Sequence, residues 1–89
     1  MKGSYLEVTY RRGKPLAAYL YLPRARGAKS IRTERRDHGL MVDFGPDGSA
    51  IGLEITDPLS TSSEAVNEVL RGLGKEPIEP AELEPLRAA

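Results

Sequence analysis

The segment from Gly39 to Ile55, GLMVDFGPDGSAIGLEI, constrains the fold more than any other part of this chain, because it predicts a β-hairpin. Its apolar residues alternate with small or polar ones, which is the period of two expected of a strand with one buried face. Between the two runs, Gly45-Pro46-Asp47-Gly48 has the chemistry of a turn: proline presets φ, aspartate bonds its own backbone and glycine accepts positive φ. The apolar positions on the predicted buried face are Leu40, Val42, Phe44, Ile51, Leu53 and Ile55.

The N-terminal part of the chain predicts a second hairpin, with strands from about Tyr5 to Tyr10 and from about Leu16 to Leu22. Gly13 supplies the turn between them. One face of this hairpin is predicted to carry Leu6, Val8, Tyr10, Leu16, Ala18, Leu20 and Leu22. The other face is predicted to carry Tyr5, Tyr19 and Tyr21, so that three tyrosines share one surface.

The rest of the chain predicts one polar strand and one helix. A polar run from about Ser30 to Arg36 is typical of an exposed or edge strand. After Pro58 the apolar period changes from two to about 3.6. Thr61 and Glu64 have the spacing of a capping box, and Gly74 provides a left-handed stop. The apolar stripe of the predicted helix consists of Val66, Val69, Leu70 and Leu73.

Together these elements predict a single α+β domain over residues 1–74, with a small antiparallel sheet of four to five strands covered by one C-terminal α-helix. Residues 75–89 form a proline-rich acidic tail, in which three prolines prevent a long helix. Ile78, Leu83 and Leu86 would stand in water if this tail were detached. We therefore expect the tail to dock on the sheet or on a second subunit.

Chain length and missing residue types argue against several classes of function. A domain of 89 residues has little interior in which to enclose a large cofactor. Without cysteine there is no disulfide, thiolate zinc site or cysteine nucleophile, and the single histidine, His38, cannot build a multi-histidine metal site. No apolar run reaches the ~18 residues of a membrane span, and none resembles a signal peptide. The chain is thus predicted to be a cytoplasmic protein with no cofactor, metal or membrane association.

The net charge of zero hides a strong asymmetry along the chain. Residues 1–36 carry ten basic and two acidic side chains, whereas residues 37–89 carry three basic and eleven acidic ones. Such a split is compatible with a basic face for nucleic acid. It is also compatible with charge pairing within one molecule or within a dimer. We favour pairing, since opposite halves of one small sheet must lie side by side.

A set of residues between Leu6 and Asp57 carries a resemblance to a known family. The set consists of Tyr10, Ala18-Tyr19-Leu20, Thr33, Gly39, Val42-Asp43-Phe44, Gly48, Gly52 and Glu54-Ile55. These positions resemble a family of small uncharacterised bacterial proteins, the "domain of unknown function two-two-eight-three" type. The resemblance implies a small antiparallel sheet with helical packing, no established activity and no catalytic residues, and it hints at an antitoxin-like role with a toxin-like partner. Where family members usually carry acidic residues near the first turn, this chain has Arg11 and Lys14.

The two acidic residues of this signature, Asp43 and Glu54, both point away from the predicted buried face, as a catalytic or metal-binding pair would need. If Phe44 faces Ser49 across the turn, however, the two carboxylates lie four strand steps apart, about 13 Å at ~3.4 Å per step. Glycosidase pairs lie within ~10 Å, and ligands of one metal lie closer. This distance argues against a shared site.

Structural roles are therefore predicted for these residues. Asp43 is expected to pair with Arg35 or Arg36, and Gly52 to mark a bulge or a close packing contact. His38 is a candidate general base because of its residue type, but a single histidine in a turn is usually solvated. We predict no catalytic residues and no enzymatic activity.

The exposed side chains are compatible with two binding functions. The three tyrosines form a candidate interface for a homodimer or for a small protein partner, because tyrosine offers a large contact area with a polar tip. Alternatively, they stack bases while basic side chains neutralise phosphates. The candidate phosphate contacts are Arg11, Arg12, Lys14, Arg24, Arg26 and Lys29. We favour a non-enzymatic binding or regulatory module that acts through protein contacts.

Overall fold

The computed structural model describes residues 3–24 and 26–87, which form a five-stranded antiparallel sheet with helical elements on one side. The strands are β1 (Tyr5–Arg11), β2 (Lys14–Tyr21), β3 (Arg32–Arg35), β4 (Leu40–Phe44) and β5 (Ala50–Ile55). Their order across the sheet is β1-β2-β5-β4-β3. The described residues also form one α-helix, α1 (Ser63–Gly72), and three 3-10 helices. The 3-10 helices lie at Asp37–Gly39, Pro58–Ser60 and Pro80–Arg87. The predicted α+β fold is confirmed.

One face of the sheet builds the hydrophobic core. The six apolar positions predicted for the β4–β5 hairpin are between 0% and 7% exposed. Five of them belong to the core cluster, whereas Ile51 does not, and Ala50 joins the cluster opposite Phe44. Ala18, Leu20 and Leu22 from the β2 side join this layer, and Val66, Val69 and Leu70 of α1 pack against it. The hydrophobic effect is the main force that holds α1 on the sheet, and it contributes a free energy of about 25 cal/mol for each Å² of apolar surface that is removed from water.

The β4–β5 turn has the chemistry that its sequence predicts. The Asp47 carboxylate accepts hydrogen bonds from the backbone N–H and the hydroxyl of Ser49, at 3.0 and 2.8 Å. These bonds lower the pKa of the Asp47 carboxyl, because they favour its charged form. Gly48 takes a φ of 85°, which only glycine adopts without strain.

The β1–β2 hairpin contains a β-bulge that changes which residues face the core. Thr9 pairs with Ala17 and Tyr10 pairs with Pro15, so that Leu16 has no partner across the ladder. Pro15 takes the buried position, and Leu16 is 51% exposed. The prediction that Leu16 belongs to the buried row is therefore wrong. A bulge is also one of the few places where a strand tolerates proline, which has no N–H to donate.

The N-cap of α1 lies one residue later than predicted. Ser62 caps the helix, because its hydroxyl oxygen accepts from the backbone N–H three residues further on, at 3.1 Å. Thr61 is not the cap, since its hydroxyl donates to the carbonyl of Asp57 at 2.7 Å and so closes the preceding turn. Gly74 ends the helix as predicted, with a φ of 71°. The next N–H then reaches back to the Leu70 carbonyl at 2.9 Å, as in a Schellman motif.

The acidic tail packs against the core of its own molecule. Ile78, Leu83 and Leu86 are 6%, 2% and 0% exposed and belong to the core cluster. Asn67 of α1 exchanges two hydrogen bonds with the backbone of Ile78, at 2.8 and 3.0 Å. The hydroxyl of Tyr10 donates to the carbonyl of Pro85 at 3.2 Å. Docking of the tail through its three apolar residues is thus confirmed.

Candidate functional site: the open face of the sheet

The helix and the tail cover one face of the sheet, and strand pairing arranges the side chains of the other face in two rows. The first row contains Tyr5, Tyr21, Gly52, Asp43 and Thr33. The second row contains Glu7, Tyr19, Glu54, Met41 and Arg35. We call these ten residues the open face. Each row crosses all five strands, so residues distant in the chain become direct neighbours.

Three tyrosine rings form one cluster on the open face. The rings of Tyr5 and Tyr21 are stacked with centroids 4.5 Å apart, and Tyr19 meets Tyr21 edge to face at 4.7 Å. The Tyr21 hydroxyl donates to Glu7 at 3.2 Å, and this bond raises the pKa of the phenol. The prediction that the three tyrosines share one surface is confirmed. Their role as an interface stays a prediction.

The Tyr19 ring lies across β5 at Gly52. A Cβ atom on Gly52 would stand only 2.0 Å from the Tyr19 hydroxyl oxygen, so glycine is the residue that leaves room for the ring. Tyr19 can therefore reach over β5 and donate to the Asp43 carboxylate of β4 at 2.7 Å. Burial raises the pKa of the Tyr19 phenol, and the bond to Asp43 raises it further. The predicted close packing contact at Gly52 is confirmed.

Asp43 accepts hydrogen bonds from two hydroxyl groups rather than from an arginine. One of its oxygens accepts from the tyrosine described above, and the other accepts from Thr33 at 2.5 Å. The predicted pairing with Arg35 or Arg36 is wrong. Arg35 belongs to the other row of the open face, and Arg36 pairs with Glu34 at 3.0 Å. Asp43 thus ties β2, β4 and β3 together across the sheet.

The register of the β4–β5 hairpin also differs from the prediction. Phe44 faces Ala50 rather than Ser49, and a bulge shifts the pairing by one further residue. Asp43 and Glu54 are therefore diagonal neighbours, for which Cα atoms are typically ~7–8 Å apart. The predicted separation of ~13 Å between their carboxylates is wrong. Within the described residues there is still no group of three or more acidic or histidine side chains that could hold a metal ion.

The six predicted phosphate contacts divide between the two ends of the sheet. The tip of the β1–β2 hairpin holds Arg11, Arg12 and Lys14, and the segment after β2 holds Arg24, Arg26 and Lys29. β2 separates the two groups, because its eight residues from Lys14 to Tyr21 span seven strand steps, or roughly 23 Å at ~3.3 Å per step. The structure therefore does not bring these side chains together into one basic patch.

Arg24 differs from the other five because it is held by the fold. Its guanidinium donates to the carbonyl oxygens of Leu22 and Ile51 and lies 5.2 Å from the centroid of the Tyr21 ring. This places Arg24 at the border of the open face, with part of its hydrogen-bonding capacity already used.

Direct ion pairs do not neutralise the charge asymmetry of the chain. Among the described side chains, none joins residues 1–36 to residues 37–89. The pairs that form are Arg32–Glu34, Arg36–Glu34 and His38–Glu68, at 3.2, 3.0 and 2.9 Å. His38 thus contacts helix α1 rather than the open face. Within the described ranges, the helices are too short or too polar to cross a lipid bilayer.

No family model, curated protein or solved structure matches this chain. The family resemblance therefore stays a prediction, and the function must be inferred from the surface itself. Alternation along the strands predicts that the three tyrosines share one face. It does not predict that Thr33 and Met41 lie on that face with them. Strand order decides which rows these residues join, and it becomes visible only in the fold.

Proposed function

We propose that this protein is a non-enzymatic binding module that contacts proteins through the open face, and that a second copy of the chain is its first partner. The observation that carries the proposal is the tyrosine cluster on the sheet face that neither the helix nor the described part of the tail covers, with its rings already held in place by stacking and by the Tyr19–Asp43 bond. Rings that are ordered before binding lose little conformational entropy in a complex. Tyrosine is also among the residues that contribute most to protein interfaces.

The arrangement of the two rows supports contact between identical faces. A two-fold axis that runs between the rows, perpendicular to the strands, places the first row of one copy over the second row of the other. Tyr21 then lies over Tyr19, Tyr5 lies over Glu7, and no like charges face each other directly. Two-fold contacts of this kind are the most common in homo-oligomers.

The size of the open face suggests a weak and reversible dimer. Five strands at ~4.8 Å spacing and strands of ~18 Å give a projected area of roughly 430 Å². A standard stable interface buries about 800 Å² on each partner. We therefore expect the fraction of dimer to depend on protein concentration.

Sedimentation equilibrium over a concentration series tests this proposal. The wild type is expected to approach twice the chain mass of 9.7 kDa, and the variant Tyr5→Ala/Tyr21→Ala is expected to stay at 9.7 kDa. Tyr10→Ala is the matched control, because Tyr10 is 50% exposed, as Tyr5 is at 51%, but lies outside the open face. Tyr19 is left intact, since it packs over Gly52 and supports the fold.

Two outcomes would overturn the proposal. The first is a wild type that stays monomeric up to its highest soluble concentration. The second is a folded Tyr5→Ala/Tyr21→Ala variant that associates as strongly as the wild type. Circular dichroism of each variant distinguishes loss of association from loss of fold.

Nucleic-acid binding is the second candidate function, and it is favoured by the basic side chains at both ends of the sheet that form no ion pair among the described residues. The open face itself opposes it, because Glu7, Asp43 and Glu54 would repel phosphates. Tyr5 and Tyr21 also already stack on each other rather than on a base. The ratio of absorbance at 260 and 280 nm, before and after a high-salt wash, tests this function. Nucleic acid that is released by salt would support it, and protein free of nucleic acid before the wash would oppose it.

The family resemblance adds a toxin-like small protein as a proposed heterologous partner. Purification of the tagged chain from its host, with mass spectrometry of the retained proteins, tests this partner. A small protein retained at one-to-one stoichiometry in high salt supports an antitoxin-like role. Retention of the chain alone, in cells that express the candidate toxin, would contradict it.

A further inference from the structure

A second surface, at the tip of the β1–β2 hairpin, differs in character from the open face. This surface contains a concavity of about 440 Å³. The residues that line it are Arg11, Arg12, Lys14, Pro15, Leu16 and Leu59. We call these residues the hairpin patch. Leu16 and Leu59 are 51% and 56% exposed. No described carboxylate forms an ion pair with the three cations of the patch.

The backbone at the tip is strained, and a cationic residue occupies the strained position. Arg12 has a φ of 54° and Gly13 a φ of 79°, so both central residues of this two-residue turn are left-handed. Turns of this type prefer asparagine, aspartate or glycine at both positions, because the Cβ of other residues clashes with the backbone. Arginine at this position is unfavourable for the fold. Strained residues of this kind concentrate at functional sites.

The two exposed leucines are brought together from separate parts of the chain. Leu16 is the unpaired residue of the β1–β2 bulge, and bulges commonly redirect a side chain at the edge of a sheet. Leu59 lies in the 3-10 helix Pro58–Ser60, between β5 and α1. Neither leucine belongs to the core cluster. The patch therefore presents aliphatic and cationic groups side by side, where core packing does not require them.

We propose that the hairpin patch binds an acidic amphipathic segment of a different protein. The carboxylates of such a segment would meet the three cations, and its aliphatic side chains would pack on Leu16 and Leu59. The leucines favour a peptide over nucleic acid, which binds such surfaces through phosphates and stacked bases. The acidic tail of a second copy is not the occupant, because its Ile78, Leu83 and Leu86 are buried in its own core.

Heteronuclear NMR of the full chain tests this proposal with a synthetic peptide that carries glutamates and leucines at helical spacing. The peptide is expected to shift the amide signals of the non-proline residues within 11–16 and 57–60. Arg11→Glu/Lys14→Glu and, separately, Leu16→Ser/Leu59→Ser are each expected to weaken binding by about tenfold or more. The matched control Arg26→Glu/Lys29→Glu makes the same charge change at the other end of the sheet and is expected to leave binding unchanged.

Arg12→Gly provides a second variant that does not endanger the fold. It is expected to raise the unfolding temperature, because glycine relieves the left-handed strain, and to weaken peptide binding. A variant that binds the peptide as tightly as the wild type would overturn the role assigned to Arg12. Because these variants lie outside the open face, their effects are distinguishable from loss of the dimer proposed above.

Three further outcomes would overturn the proposal. Amide shifts that cluster away from residues 11–16 and 57–60 would show that the patch is not the site. Equal binding of a peptide with serine in place of leucine would show that the leucines take no part. Stronger shifts at the patch with oligouridylate or with phosphatidylserine vesicles would assign the patch to nucleic acid or to membrane lipid instead.

Discussion

The two hairpins of the sheet close with different turns, and the turn residues agree with their backbone conformation to opposite degrees. In β4–β5, Asp47 and Gly48 both suit the conformation they adopt, and the following strand is buried. In β1–β2, Arg12 takes a left-handed φ and Leu16 is exposed without a partner. Local preferences that agree with the fold indicate residues that stabilise it. Disagreement at a surface indicates residues retained for contact with something else.

The strongest test of this contrast replaces one leucine in each hairpin. Leu53→Ala is expected to lower the free energy of unfolding by about 3 kcal/mol, because Leu53 is 0% exposed and its loss leaves a cavity. Leu16→Ala is expected to change it by no more than ~0.5 kcal/mol. Urea denaturation of both variants measures the difference. Similar losses for the two would mean that Leu16 is part of the core in solution.

The next largest effect is expected at Gly52, where the two hairpins meet. Gly52→Ala forces the Tyr19 ring to move and is expected to destabilise the protein by about 2 kcal/mol, as overpacking does. Gly72→Ala is the control, since no atom lies within 4 Å of its added Cβ at the end of α1. That control is expected to be neutral or to stabilise by up to ~1 kcal/mol. Equal stability of Gly52→Ala and wild type would contradict the packing of the ring over β5.

Tyr19→Phe removes the hydroxyl that joins β2 to β4 and is expected to lower stability by about 1 kcal/mol at neutral pH. The pKa of Tyr19 is raised in the fold, so the folded state keeps a proton that an unfolded tyrosine loses near pH ~10. The stabilisation from this phenol is therefore complete below pH ~10 and declines as the pH rises toward the raised pKa. Urea denaturation at neutral and alkaline pH should show the difference between variant and wild type shrinking. A constant difference would contradict the assigned pKa direction.

The smallest changes in the free energy of unfolding are expected from substitutions in the two turns, and these changes have opposite signs. Arg12→Gly is expected to stabilise the protein by up to ~1 kcal/mol, because glycine accepts a positive φ. Gly48→Ala at the corresponding turn of β4–β5 is expected to destabilise by at least ~0.5 kcal/mol, because alanine does not accept its φ of 85°. Thermal unfolding of both variants gives the two signs. A destabilised Arg12→Gly would mean that the arginine supports the turn.

Alternation of apolar residues predicts most of the buried face of β4 and β5, because one-sided burial imposes a period of two. It does not predict the bulge that brings Ala50 rather than Ile51 into the core cluster. It was also sufficient to place Tyr5, Tyr19 and Tyr21 on one face. The period of two fails where a bulge inserts one residue, which is why alternation wrongly predicts Leu16 to lie in the core.

The partners of Asp43 and the two rows of the open face could not be predicted for a different reason. They depend on β5 lying between β2 and β4, an order that local sequence patterns do not encode. The predicted N-cap of α1 is wrong by one residue. Thr61 and Ser62 both have a hydroxyl, and only the turn before the helix decides which of them caps it.

The most direct test of the account is an NMR dilution series of the wild-type chain, from its highest soluble concentration downward. Self-association through the open face predicts concentration-dependent shifts at Tyr5, Tyr19, Tyr21 and Met41, with little change in α1. Shifts centred on α1 or on the acidic tail would contradict the proposal that the open face is the contact surface. Spectra that do not change with concentration, for a protein that sediments as a monomer, would contradict self-association altogether.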